Sequence, residues 1–340
     1  MNMKKHLLWM CVMATILMGC QKERYFINEG RVFGTYYNIR YQSTRNLEPE
    51  IQACLNQYDK SLSFFNDSSI VSKINRNEEV ETDSLFEKMY ETAYEVSCMS
   101  QGAFDITCAP LIDIWGFGKD KDAEYLRSHE VSQSTIDSLM GITGFLNVTL
   151  TDHHIYKRDP RLTINASAIA KGLGCDGVAQ LLSQMGSKNY MVDIGGEVVA
   201  KGLSQKGEPW KIGIVKPIDD PTGMVQEVQE IIETNDLCMA SSGNYRQFYY
   251  DGKERRSHTI DPRTGYPVNH SLLGATVVAK SCMRADALAT ACMVLGANAA
   301  LEMIENDAES ECYLIVSKNG EINVITSSGW VHWIQDSKKK

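Results

Sequence analysis

Between residues 30 and 336 the chain moves between helical and strand-like apolar spacing without a break. It holds no internal repeat, no low-complexity tract and no linker rich in Pro, Gly or Ser, so these residues share one folded unit. Ile51, Cys54, Leu55, Tyr58 and Leu62 recur at helical intervals, which predicts a helix over about 48–62. Leu85, Phe86, Met89, Tyr90 and Ala93 predict a second over about 84–99, capped by Thr82 or Asp83. A third begins near Ala168 and ends at Gly186, and two more cover about 284–295 and 298–306. Strand spacing fits about 32–41, 189–200, 210–215, 227–233, 237–241, 257–260 and 274–279. Asn319-Gly320 marks a hairpin between Cys312–Ser317 and Glu321–Thr326. Residues 21–29 read as a tether and 119–132 as a charged loop or surface insertion. The expectation is one α+β domain with mixed, largely antiparallel sheets and packed helices.

The first residues stand apart. Lys4 and Lys5 precede an almost wholly apolar run from Leu7 to Met18, which is too short for a stable transmembrane helix. Leu17-Met18-Gly19-Cys20 follows and resembles a bacterial lipobox. Residues 1–19 are therefore read as a lipoprotein signal peptide, and Cys20 as the lipidated first mature residue, anchored by palmitate-type acyl chains. That reading puts the protein outside the cytoplasm on a bacterial membrane, facing the periplasm. The chain carries ten Cys, none in CxxC pairs or with zinc-finger spacing. Several sit among apolar neighbours and read as buried free thiols. A net charge of −9 and a pI near 5.4, with scattered basic residues, argue against a nucleic-acid partner.

Four segments carry the chemistry. Gly102-Ala103-Phe104-Asp105, running on to Trp115-Gly116-Phe117-Gly118, suits the wall of a pocket for a planar ring, although taken alone core packing explains it better. Asn165 to Gly172 crowds small residues at a helix start with Lys171 in the first turns, a ready site for a phosphate or pyrophosphate. Asp193-Ile194-Gly195-Gly196-Glu197 reads as a strand that turns sharply at two glycines. Asp286 and Thr290, spaced i and i+4, share a helix face that is otherwise Ala, Leu, Met and Val. A buried carboxylate and hydroxyl need partners, and this pair suits Mg²⁺, a hard ion that keeps waters and takes phosphate oxygens. His153-His154 reads as exposed rather than metal-binding.

Taken in order, SFFNDSSIVSKIN (63–75), GAFD…PL…WGFG, AIAKG, DIGGE, SSGNYR, SHTIDPRTGYPV and ADALATACMVLG resemble the ApbE family of FAD:protein FMN transferases. The likeness runs from Phe33-Gly34-Thr35 to at least Gly296. It implies an ApbE-like domain with FAD in a cleft. It also implies Mg²⁺-dependent transfer of FMN from FAD to a Thr or Ser hydroxyl of an acceptor flavoprotein, forming a phosphoester and releasing AMP. The acceptor would be a flavin-carrying subunit of a membrane redox complex or an exported reductase. The side chains of Asp286 and Thr290 and the backbone oxygen of Ala168 would hold the metal. Ala103, Phe104, Asp105, Asn165, Lys171 and Ile260 would contact FAD, with Phe33 and Phe65 at the flavin end. His258 would take the acceptor proton. Asn165 stands where many members carry Asp; an amide donates and accepts but brings no charge to a metal.

Two other readings fit the same residues. A Mg²⁺-dependent FAD pyrophosphatase would use water in place of the acceptor hydroxyl, giving FMN and AMP. A flavin-binding lipoprotein without chemistry would have no use for Asp286, Thr290 and Lys171 together. Gly274-Ala275-Thr276 lies in a strand-like run and is expected to be structural rather than a self-modification site.

Overall fold

The structure, a computed structural model, describes residues 22–118, 130–218, 227–245, 248–252 and 254–333. The leader, Cys20 and most of the charged 119–132 stretch lie outside the described residues.

The frame is one eight-stranded sheet in the order β1-β2-β5-β6-β9-β12-β13-β14. Its strands are β1 (Arg24–Val32), β2 (Thr35–Ser43), β5 (Tyr190–Ile194), β6 (Glu197–Lys201), β9 (Asp236–Gly243), β12 (Leu272–Ala279), β13 (Ser310–Lys318) and β14 (Glu321–Thr326). Three two-stranded sheets flank it: β3 (Val148–Thr151) with β4 (His154–Lys157), β7 (Trp210–Val215) with β8 (Val228–Thr234), and β10 (Phe248–Asp251) with β11 (Glu254–Ser257). Every pairing between described strands is antiparallel, so the parallel share expected of a mixed sheet does not occur among them.

Eight α-helices are described: α1 (Glu48–Leu62), α2 (Ile70–Asn75), α3 (Ser84–Met99), α4 (Ala109–Ile114), α5 (Gln133–Met140), α6 (Ala170–Gln184), α7 (Cys282–Leu295) and α8 (Ala297–Glu305). Helix α1 buries Ile51, Leu55, Tyr58 and Leu62 and carries Glu48 and Glu50 in its first turn, where acids suit the helix dipole. Helix α3 is capped by the Asp83 carboxylate, which accepts from Phe86 N at 2.8 Å. Helix α7 is buried almost all round, so any polar group on it must be satisfied inside the protein.

Helices α6 and α7 pack on each other and on one face of β5, β6, β9 and β12. The β7–β8 ribbon covers part of the other face, with Trp210, Ile212, Ile214 and Ile232 against Val198, Ala200, Leu237 and Met239. Coverage on both faces explains the near-continuous apolar runs of β6, β12 and β13.

Several local expectations shift. The stretch read as a tether contains β1, which pairs with β2 from Arg24 onward, and Phe33-Gly34 is the turn between them. The 189–200 run is two strands folded at Gly195-Gly196, whose φ angles of +70° and +105° permit the tight turn. The strand expected at 257–260 ends at Ser257, and Ile260 makes only an isolated bridge to Pro267. Residues 133–140 form a helix that the charged stretch concealed. Gly186, φ +88°, stands just beyond the end of α6, as a helix stop should.

Candidate active site

A cleft of about 530 Å³ opens beside the α6–α7 pair. Its lining includes Phe33, Phe65, Ala103, Phe104, Asp105, Asn165, Ala168, Lys171, His258, Ile260, Asp286 and Thr290. Every site residue expected from the sequence, Cys20 apart, thus meets in one recess.

Its charged base is built from three elements. Lys171 stands in the first turn of α6, Asp286 on α7, and Glu197 opens β6 directly after the two-glycine turn. Lys171 Nζ lies 2.6 Å from Glu197 Oε1 and 3.6 Å from Asp286 Oδ1. Asp286 Oδ2 accepts from Gly172 N at 3.0 Å. That N–H is one of the first-turn donors a helix cannot satisfy itself, so Asp286 caps α6 from the neighbouring helix. The α6 N-terminus was expected to be offered to a phosphate; one of its donors is held instead by the protein's own carboxylate. Asp286 Oδ1 is left turned toward Lys171.

Glu197 is fully buried, and its Oε2 has no hydrogen-bond partner. Burial pushes its carboxyl up, against the opposing pull of the Lys171 ammonium. Burial alone would lower Lys171, but the Asp286 and Glu197 carboxylates prevail and raise it. Both carboxylates thus favour the charged form of the lysine. Glu197 joins the cleft although the DIGGE motif displays chiefly its glycines; a glutamate heading an apolar strand is its mark in the sequence.

Thr290 lies one turn beyond Asp286, with its hydroxyl 3.4 Å from Ser242 Oγ. Among the described residues no three His, Cys, Asp or Glu side chains cluster as a metal site. The three residues that the resemblance gives to the metal, Asp286, Thr290 and Ala168, all line the cleft and would offer it only oxygen: a carboxylate, a hydroxyl and a backbone carbonyl. Sparse, hard donors fit Mg²⁺, which takes few protein ligands and completes its shell with waters and phosphate oxygens.

The walls are held rigidly. Asp105 accepts from Thr107 N and Thr107 Oγ1 at 2.7 Å and from Phe145 N at 2.8 Å. Its carboxylate thus braces the wall of the cleft. Asn165 Oδ1 accepts from Ser167 N at 2.9 Å and shapes the entry to α6. Phe33 holds a positive φ of 52°, a conformation unusual for a bulky residue. Its ring lies over Gly174, where an added Cβ would come within 2.8 Å of it. Phe65 is 56% exposed at the rim.

His258 follows β11 at the cleft edge, with its ring 6.3 Å from that of Phe117 in an edge arrangement. The turn after it is locked: Gly265 N donates to Asp261 O at 2.8 Å, and Trp115 Nε1 donates to Gly265 O at 2.8 Å. Away from the cleft, His153 is exposed and pairs with Glu87 at 2.6 Å, as a non-ligand histidine should. Thr276 is buried in β12 and bonds Ser241 Oγ at 2.8 Å, in keeping with a structural Gly-Ala-Thr. The eight described cysteines are free thiols, five of them buried; Cys98 is exposed.

The fold and cleft define an α+β protein with one large recess between an aromatic rim and a base of Lys171, Glu197 and Asp286. A sequence profile of the ApbE family matches residues 33–314. The FAD:protein FMN transferase of Haemophilus influenzae is 34% identical over 332 residues, covering 93% of this chain and 94% of its own. That of Vibrio cholerae is 33% identical, covering 94% of this chain and 97% of its own. The solved flavin transferase ApbE from Vibrio cholerae superposes with a TM-score of 0.81 at 33% identity, covering 92% of this chain and 100% of that one. The chain belongs to the ApbE family.

Proposed function

We propose that this chain transfers FMN from FAD to a Thr or Ser hydroxyl of an acceptor protein. The observation that carries the reading is the convergence of Lys171, Asp286, Thr290 and His258 on one cleft with the aromatic rim. Its relatives bear the name of that activity.

The acceptor oxygen attacks the FMN phosphorus, the pyrophosphate P–O bond breaks, and AMP leaves with the electron pair. Such a transfer needs positioning and charge stabilisation more than covalent help. Lys171 supplies a fixed positive charge where negative charge builds. The His258 imidazole takes the hydroxyl proton. Phe33 and Phe65 offer faces for the isoalloxazine ring, and Ala103, Phe104 and Ile260 close the walls on the rest of the ligand. Asp286, Thr290 and the Ala168 carbonyl would hold Mg²⁺, which polarises phosphoryl oxygens when bound.

The same proposal extends to location. Lys4-Lys5, the apolar run and Leu17-Met18-Gly19-Cys20 support export and an acyl anchor on Cys20, with an acceptor in a membrane redox complex or an exported reductase. A Cys20→Ser protein that stays membrane-bound would overturn the anchor.

The deciding experiment incubates the soluble chain from Gln21 onward with a purified acceptor domain, FAD and Mg²⁺, with and without EDTA. Intact mass should show a Mg²⁺-dependent gain of one FMN on the acceptor. FMN and AMP without an adduct would indicate the pyrophosphatase, and intact FAD would refute both.

A further inference from the structure

We propose that Glu197 is a positioning residue that keeps Lys171 from closing to hydrogen-bond contact with Asp286 Oδ1, so that this oxygen remains open to the divalent cation. The inference rests on the metal reading above and deepens it. Gly172 N holds Asp286 Oδ2 at 3.0 Å, which leaves Oδ1 as the oxygen turned toward Lys171. The ammonium and a metal ion therefore compete for the same atom. A lysine beside a lone buried carboxylate would close on it, because two opposite charges out of water attract strongly at contact distance. Here the ammonium meets Glu197 at 2.6 Å and stays 3.6 Å from Asp286, an ion pair short of hydrogen-bond contact. Glu197 approaches Lys171 through Oε1 alone, and its Oε2 is buried without a partner. The two-glycine turn fixes where β6 starts and hence where this carboxylate stands.

The test is Mn²⁺ binding, read from loss of the free-ion electron paramagnetic resonance signal, in flavin-free protein and again with FAD. Glu197→Gln should weaken Mn²⁺ binding about tenfold when residue 171 is lysine. In a Lys171→Met background the same change should alter binding less than twofold, because no ammonium remains to be held. Equal losses in both backgrounds would mean that Glu197 acts by its own charge and would overturn the proposal. So would unchanged binding in Glu197→Gln. Glu197→Asp keeps the charge but loses the reach; it should also weaken binding, and wild-type affinity there would refute a positional role. Asp286→Ala separates the two levels. If it binds Mn²⁺ as wild type does, or if wild type binds none in either condition, the metal reading falls and this inference with it. If Asp286→Ala loses the ion while Glu197→Gln retains it, only the inference falls.

Discussion

Helices α6 and α7 meet at Gly172, where no side chain fits. A Cβ there would stand 2.3 Å from Cys282 O, 2.6 Å from Cys282 C and 2.8 Å from Met283 Cα. All three are backbone atoms and cannot swing aside. Restoring an ordinary separation of about 3.5 Å moves the helices apart by roughly 1 Å. Overpacking of this kind costs about 1–3 kcal/mol. The same shift stretches the 3.0 Å bond from Gly172 N to Asp286 Oδ2 beyond hydrogen-bonding distance. Losing a bond to a buried charged group adds about 1.5–3 kcal/mol. Alanine offsets about 1 kcal/mol through its better helix propensity. Gly172→Ala is therefore expected to destabilise by about 3 kcal/mol and to lower the thermal midpoint by roughly 5–10 °C. Circular dichroism melts measure this, and metal binding should weaken in parallel because Asp286 loses its anchor. A midpoint equal to or above wild type would show that propensity outweighs the contact, and would refute the rigid helix apposition.

Asp286→Ala should abolish Mg²⁺-dependent transfer, and full activity with Mg²⁺ present would contradict the metal assignment. His258→Ala should slow single-turnover transfer by about 10²-fold or more while FAD affinity stays within about twofold, as expected of a proton acceptor; a matching loss of affinity would make it a binding residue. Among the described thiols, exposed Cys98 should react first with iodoacetamide, followed as peptides by mass spectrometry. Burial pushes the Cys175, Cys282 and Cys292 thiols up, so they should stay unlabelled until denaturant is added. Rapid native labelling of Cys282 would contradict the closed α6–α7 packing.

Helices α1 and α3 lie where apolar spacing places them, because each buries one face and exposes the other. The six-residue α2, capped by Ser69, is too short to carry a period. The turn inside 189–200 is legible in Gly195-Gly196, while strand-like residues on both sides hide that it divides two paired strands. The cleft was legible as a set of motifs, and their residues do converge. What the motifs hide is how the groups pair. Asp286 is tied to a backbone amide, which no side-chain pattern reveals. Glu197 has its role only because Lys171, from another element, reaches it. The Asp105 carboxylate is taken up by Thr107 and Phe145, a pairing that the GAFD motif does not display.

The cleft draws on residues from Phe33 to Thr290, brought together only when β2, β6, β9 and the α6–α7 pair are all in place. Nearly every contact within it spans a long stretch of chain, and such contacts form late because loop closure must come first. Ligand occupancy therefore reports completion of the sheet, and FAD should raise the midpoint of the whole transition in proportion to the logarithm of its concentration, without protecting a subdomain.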